Sequence, residues 1–206
     1  LDRSFSKKCI LIRHGQTKGN VERRFIGAKS DVDLTDEGIR MAKEAARRVP
    51  DLNLKGDEYF FVSPLKRAVM TADILFPDAT LIKKDAFVEI DFGRFEGKNH
   101  EELDGDPTYQ AWIDSGGADD FPEGDNKLNY AKKVTKGFYE ACKESGDKDM
   151  IIVCHMGTMM ALISSLTGED YFNIKADNLE GYVLTFTYNK RITDLSYDRF
   201  SFGSLS

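Results

Sequence analysis

The 206-residue sequence has no apolar run long enough to cross a bilayer, and the only apolar stretch near its basic start is Cys9 to Ile12. Neither a membrane span nor a signal peptide is expected. Cysteine is scarce: Cys9, Cys142 and Cys154 stand far apart, with no CxxC pair. That excludes a disulfide scaffold and a cysteine-based zinc site, and it fits a reducing cytoplasm. Histidine occurs three times, without HExxH spacing, so no metal is implied. A cationic excess is missing too, since 29 Lys and Arg face 35 Asp and Glu for a net charge of -6. A dedicated nucleic-acid binder would carry a basic surface, so any anionic substrate must be met by a local cationic pocket. Internal repeats and low-complexity tracts are absent. The length and a hydrophobic share of 41% suit one core, and a single domain over 1–206 is expected. The chain opens on Leu1, and residues 1–7 read as a flexible N-terminal segment, partly of non-native origin.

What is present alternates between two periods. Cys9-Ile10-Leu11-Ile12 reads as a buried strand ending at Arg13-His14-Gly15. Thr35 caps a helix with Ala42, Ala45, Ala46 and Val49 on one face, stopped by Pro50. Tyr59 to Val62 is a second strand, and Ser63-Pro64 reads as N-cap and first residue of a helix carrying Leu65, Ala68, Val69, Ala72, Leu75 and Phe76. Leu81 to Val88 is a weaker third strand. The stretch from Ile90 to about Asn126, rich in Gly, Asp and Pro, is an excursion over the core with short helices near His100 to Leu103 and Thr108 to Ile113. Leu128, Ala131, Val134, Phe138 and Ala141 mark a longer helix closed by Gly146. Met150 to Cys154 is the most apolar strand, followed by a helix ending at Gly168. Val183 to Tyr188 and Ile192 to Tyr197 form a closing hairpin around Asn189-Lys190. The fold class is α/β: a three-layer, open, mostly parallel sheet with helices on both faces.

Ligands of such sheets sit outside the carboxyl ends of the strands. Arg13 and His14 fall there after the first strand, Arg67 one turn past the second, Glu89 after the third and His155 after the Met150 strand. Together they suit a phosphate ester, because Arg offers forked donors, imidazole can attack or donate, and a carboxyl can protonate a leaving oxygen. Arg67 in the first turn of a helix is disfavoured by the dipole unless an anion stands beside it. His155-Met156-Gly157 opens a helix whose free N–H groups suit phosphate oxygens.

The chain resembles the histidine phosphatase superfamily, also called phosphoglycerate mutase-like, from about Cys9 to Tyr188. The motifs that carry the resemblance are Leu11-Ile12-Arg13-His14-Gly15-Gln16-Thr17-Lys18-Gly19-Asn20, Arg24-Phe25-Ile26-Gly27 and Asp33-Leu34-Thr35 with Gly38. They continue as Ser63-Pro64-Leu65-Lys66-Arg67-Ala68, Glu89-Ile90-Asp91-Phe92-Gly93-Arg94-Phe95-Glu96-Gly97 and Val153-Cys154-His155-Met156-Gly157. The resemblance implies a metal-independent phosphatase with no cofactor. In it His14 becomes phosphohistidine, Arg13, Arg67 and His155 hold the phosphoryl oxygens, and Glu89 donates a proton. Asn20 matches a further phosphate contact with Thr17 supporting its loop, and Arg24, Phe25 and Gly27 lie in the substrate-proximal segment. Flanking arginines would lower the His14 pKa toward the neutral nucleophile, while a carboxyl facing phosphate would be pushed toward its acid form.

Two departures stand out. Phe95 replaces a Trp frequent in relatives, and Pro122-Glu123-Gly124-Asp125-Asn126 lacks the Glu and Ser of the related segment. His100 reads as a solvated helix residue, Cys154 as structural, and Met156, Met159 and Met160 as packing, with Met156 able to face the pocket. The expected partner is a small phosphorylated metabolite, with no nucleic acid and no membrane. A phosphoglycerate mutase is the alternative, and a non-catalytic binding protein on the same scaffold a further one.

Overall fold

The computed structural model describes residues 4–202. Among them, strands β1 Phe5–Arg13, β2 Tyr59–Val62, β3 Leu81–Lys83, β4 Met150–Cys154, β5 Glu180–Asn189 and β6 Arg191–Ser201 form one sheet in the order β3-β2-β4-β1-β5-β6. The first four of these pair in parallel, and β5 and β6 add antiparallel edges. The helices are α1 Lys18–Val21, α2 Asp36–Ala46, α3 Lys66–Leu75, α4 His100–Leu103, α5 Pro107–Asp114, α6 Lys127–Glu144 and α7 Met156–Thr167. None of them is long and apolar enough to cross a membrane.

Strand period 2 divides the core. Cys9 and Leu11 of β1, with Met150, Ile152 and Cys154 of β4, join the cluster that α6 and α7 cover through Val134, Phe138, Met159 and Leu162. Ile10, Ile12, Ile151 and Val153 point to the other face, under Ala42 of α2 and Ala68, Ala72 and Leu75 of α3. Both faces are apolar because both are covered, which is why these strands read as continuous hydrophobic runs.

The register sets the site. Arg13 is the partner of Cys154 and Val62 of Val153, so β1, β4 and β2 end side by side and deliver His14, His155 and Ser63 to one rim. The backbone amides of His14 and Ser63 donate to the Cys154 and Val153 carbonyls at 3.0 Å each, extending the ladders one residue into the site.

Several sequence expectations are corrected. Residues 5–7 are not a flexible leader, because Phe5 to Lys8 pair with Thr185 to Tyr188. Buried Lys7 donates to Ser145 Oγ at 3.0 Å and to the Gly146 carbonyl at 2.8 Å, beyond the end of α6. Residues 1–3 lie outside the described part. α3 starts at Lys66 with Leu65 as its cap, since Ser63 still belongs to the sheet ladder. β3 stops at Lys83, where Asp85–Phe87 turns into a single 3-10 turn. α2 stops at Ala46, and Val49–Leu52 is a separate 3-10 turn around Pro50. Leu128, assigned to the buried face of α6, is 62% exposed, and Tyr130 takes the core position. The excursion packs on its own aromatic cluster, in which buried Phe95 meets Phe25, Tyr109, Trp112 and Phe121 at centroid distances of 5.1 to 6.2 Å. A smaller Phe in place of Trp therefore serves packing.

Candidate active site

His14 follows β1 directly and is 5% exposed. Its Nδ1 lies 2.7 Å from the Gly15 carbonyl, which can only accept. The proton must therefore sit on Nδ1, leaving the Nε2 lone pair free to attack. Burial holds the His14 pKa well below the usual imidazole value, and the Arg67 and Arg13 charges push the same way. His155, the N-cap of α7, stacks at a tilt with its ring centroid 5.2 Å from that of His14. Its Nε2 is 2.7 Å from Ser63 Oγ, which already accepts from the Leu65 amide at 3.4 Å. Among the described residues Nε2 is the one acceptor within reach of the Ser63 O–H, so the hydroxyl is assigned as its donor and the ring proton to Nδ1. His155 is also kept neutral by burial first and then by Arg67, His14 and Arg13.

Arg67, in the first turn of α3, is completely buried and spans to the loop after α1. It donates to the Ser30 carbonyl at 2.6 Å, the Gly27 carbonyl at 3.2 Å and the Ile26 carbonyl at 3.3 Å. That loop is held by Glu96, which accepts from the Gly27 amide at 2.7 Å and Ser30 Oγ at 2.6 Å. Arg13 donates through one terminal nitrogen to the Ala176 carbonyl at 2.8 Å. Among the described residues four buried side-chain N or O atoms find no partner within the protein, and three of them are Arg13 Nε, Arg67 Nε and His155 Nδ1. An unpaired buried donor costs roughly 1–3 kcal/mol, and more when charged. All three atoms belong to residues singled out in the sequence, and of those residues Arg13 lines the cavity that also holds His14 and Glu89.

Glu89 is 6% exposed and close enough to Arg67 and Arg13 for their charges to act on it. Oε1 accepts from the Ile90 amide at 2.9 Å and the Tyr130 hydroxyl at 3.4 Å, and Oε2 accepts from the Gly157 amide at 3.1 Å. Burial raises its pKa, outweighing those backbone bonds and the two arginines, which pull it down. The Gly157 amide, expected to be free for phosphate, is therefore engaged by Glu89. A Cβ at Gly157 would stand 2.3 Å from Oε1, so any side chain here would displace the Glu89 carboxyl.

The remaining predicted residues divide. Thr17 and Asn20 form a capping box around α1, with the Thr17 amide donating to Asn20 Oδ1 at 2.9 Å. Arg13, His14, Thr17, Asn20, Arg24, Phe25, Glu89 and Gly157 line a cavity of about 240 Å³. Arg67, His155 and Gly27 are not among its lining residues: Arg67 acts on His14 through its charge, His155 through the ring contact at 5.2 Å, and Gly27 supplies a carbonyl to Arg67. Arg24 is largely committed, since its guanidinium binds Glu22, Glu102 at 2.9 Å and the Gly97 carbonyl at 2.7 Å. Residues not foreseen include Asn178, which donates to the His14 carbonyl at 2.9 Å and Asn20 Oδ1 at 3.2 Å. Tyr130, Lys127, Trp112, Phe121 and Phe172 were also missed. The helical spacing of Tyr130 with Val134 was the one available signal for this group, and nothing in sequence pointed to Asn178.

The chain is similar to known proteins over most of its length. A phosphoserine phosphatase of Hydrogenobacter thermophilus is 30% identical over 179 residues, covering 83% of this chain and 82% of that protein. A 2,3-bisphosphoglycerate-dependent phosphoglycerate mutase of Bartonella bacilliformis is 29% identical, covering 92% and 96%. Among solved structures, a phosphoserine phosphatase of Entamoeba histolytica bound to phosphoserine superposes with a TM-score of 0.77 at 28% identity, over 97% of this chain and 98% of that one. The model of the histidine phosphatase superfamily (branch 1) matches residues 9–198, and the chain belongs to that superfamily.

Proposed function

We propose that this chain is a phosphatase that hydrolyses small phosphomonoesters through a phosphohistidine on His14, without a metal ion. The supporting observation is His14, whose Nε2 lone pair is free and whose pKa is lowered by burial, Arg67 and Arg13, lining one cavity with Arg13 and Glu89. His14 Nε2 attacks phosphorus, and the P–O ester bond breaks as Glu89 passes its proton to the departing oxygen. The positive charges of Arg13 and Arg67 compensate the charge on the equatorial oxygens, a task that falls to Mg²⁺ in many other phosphoryl-transfer enzymes. Glu89, now a carboxylate, takes a proton from the water that attacks the phosphohistidine, and phosphate leaves with His14 restored.

The test is a rapid quench with an aryl phosphate. Acid-labile phosphate mapping to His14, with free phosphate released afterwards and rates unchanged by exhaustive chelation, is the expected result. Turnover that vanishes with EDTA and returns with a divalent metal would overturn the metal-free reading. A mutase is the second reading, because relatives named as mutases are as similar as those named as phosphatases.

A further inference from the structure

Away from His14 the cavity wall is mostly apolar, and its cations there are Arg24 and Lys127. Lys127, the first residue of α6, extends its Nζ over three ring faces, 5.1 Å from the centroid of Phe121, 5.3 Å from Trp112 and 5.8 Å from Phe172. Among the described residues its Nζ has a single hydrogen-bond acceptor, the Gly117 carbonyl. Nearby Asp120 is occupied by Asn126 Nδ2 at 2.6 Å and by the Lys127 backbone amide at 2.9 Å. The lysine thus keeps donors to spare in a half-buried setting, and burial pulls its pKa down despite Asp120 and Asp119. A charge held this way gains most from an anion that supplies both counter-charge and acceptors.

We infer that Lys127 receives a carboxylate on the leaving group, so that the preferred substrate is a small phosphomonoester whose alcohol portion carries one acid group. The inference rests on the phosphatase reading, which puts the phosphoryl group at the His14 end of the same cavity. Charge counting favours a carboxylate over a second phosphate. Arg24 already faces Glu22 and Glu102, so Lys127 is one cation available for one negative charge. An ammonium on the leaving group would meet the lysine as a like charge, and a neutral one would leave it uncompensated. The cavity of about 240 Å³ is smaller than a drug-sized pocket and holds a leaving group of a few carbons against Trp112, Phe121 and Phe172.

Non-hydrolysable phosphonates test this without relying on turnover. Calorimetric titration compares alkylphosphonates of two to five carbons with their ω-carboxy and ω-amino counterparts. Wild type should prefer the carboxylate over its alkyl match by roughly tenfold or more at one chain length, as a charge-assisted contact is worth. Lys127→Met, which keeps an apolar stem among the rings, should erase that preference, and Lys127→Glu should transfer it to the amino series. A purely structural lysine would not produce such an exchange. Wild type that fails to distinguish the carboxylate, or variants with unaltered ratios, would overturn the assignment. Phenyl phosphate hydrolysis by wild type is followed in parallel, so a failure of the phosphatase reading appears there and not in the affinity ratios.

Discussion

Gly157 and Glu89 fit against each other with no room for a methyl group: the amide donates to Oε2 at 3.1 Å, and a Cβ would lie 2.3 Å from Oε1. The glycine at the start of α7 thereby fixes a carboxyl from the loop that follows the Asp85–Phe87 turn. Gly157→Ala must move Glu89, since the helix backbone cannot yield as easily as the side chain. The expected outcome is a fold that is retained by circular dichroism, with kcat for an alkyl phosphate reduced about 10- to 100-fold, the range of a displaced general acid. A nitrophenyl phosphate, whose leaving group needs little protonation, should lose far less. Equal losses on the two substrates would mean that Glu89 is not the acid.

Glu89→Gln removes the proton itself and should show the same split between alkyl and nitrophenyl esters. It also carries a stability prediction with a definite sign. The folded protein binds the Glu89 proton more tightly than the unfolded chain, because burial raises the pKa above the ordinary value of 4.5. Stability is therefore lost as pH rises through the raised pKa, and it is fully present below about 4.5. The Gln variant is free of that loss. Its melting temperature should exceed that of wild type at neutral pH, with the gap closing in acid. A gap independent of pH would point to altered packing instead.

His14→Ala should abolish turnover and remove the trapped phosphate, since no covalent intermediate can form. The imidazole itself is checked by NMR. Burial, Arg67 and Arg13 all lower its pKa, so as pH falls through 6.5 the ring should remain neutral and titrate only at lower pH. His155 should behave alike. The His14 signal is assigned by its disappearance in His14→Ala, and a midpoint at or above 6.5 in the free enzyme would contradict the electrostatics described here.

The contrast between what sequence revealed and what it hid follows the range of the forces. Tyr59–Val62 and Met150–Cys154 were read to the residue because β-branched and aromatic runs bounded by polar turns are local signals. His14, Arg67, Glu89 and His155 were legible because each follows or caps an element whose end is marked in sequence. The start of α3 was misplaced because Ser63 is held by a β4 carbonyl, an interaction 90 residues away in the chain. Phe5 to Lys8 looked unpatterned for the same reason, their partners being β5 and the end of α6. Asn178, Tyr130 and Lys127 reach the site from elements whose sequences carry no chemistry of their own, so only tertiary placement discloses them.

The phosphohistidine should be discharged mainly to water. A mutase must exclude water while its intermediate turns around, and it must hold a second phosphoryl group of nearly two negative charges. In this chain the residues over the cavity supply little for that purpose. The excursion is acidic, with Glu101, Glu102, Asp104, Asp106, Asp114, Asp119, Asp120, Glu123 and Asp125 against Arg94 and Lys98. Arg94 faces Asp106 at 3.7 Å, and Arg24 is taken by Glu22 and Glu102. Lys127 was not foreseen in this count and adds one charge to the cavity wall. Near the C-terminal end, Arg199 is engaged by Glu180, with Asp177 at 3.8 Å, on β6. One free amine compensates a carboxylate but not a second phosphate, so a bisphosphorylated ligand should bind poorly. Supplied with 3-phosphoglycerate and catalytic 2,3-bisphosphoglycerate, the enzyme should release free phosphate faster than it forms 2-phosphoglycerate. Isomer formation far outpacing phosphate release would show that the cavity excludes water after all and would make the chain a mutase.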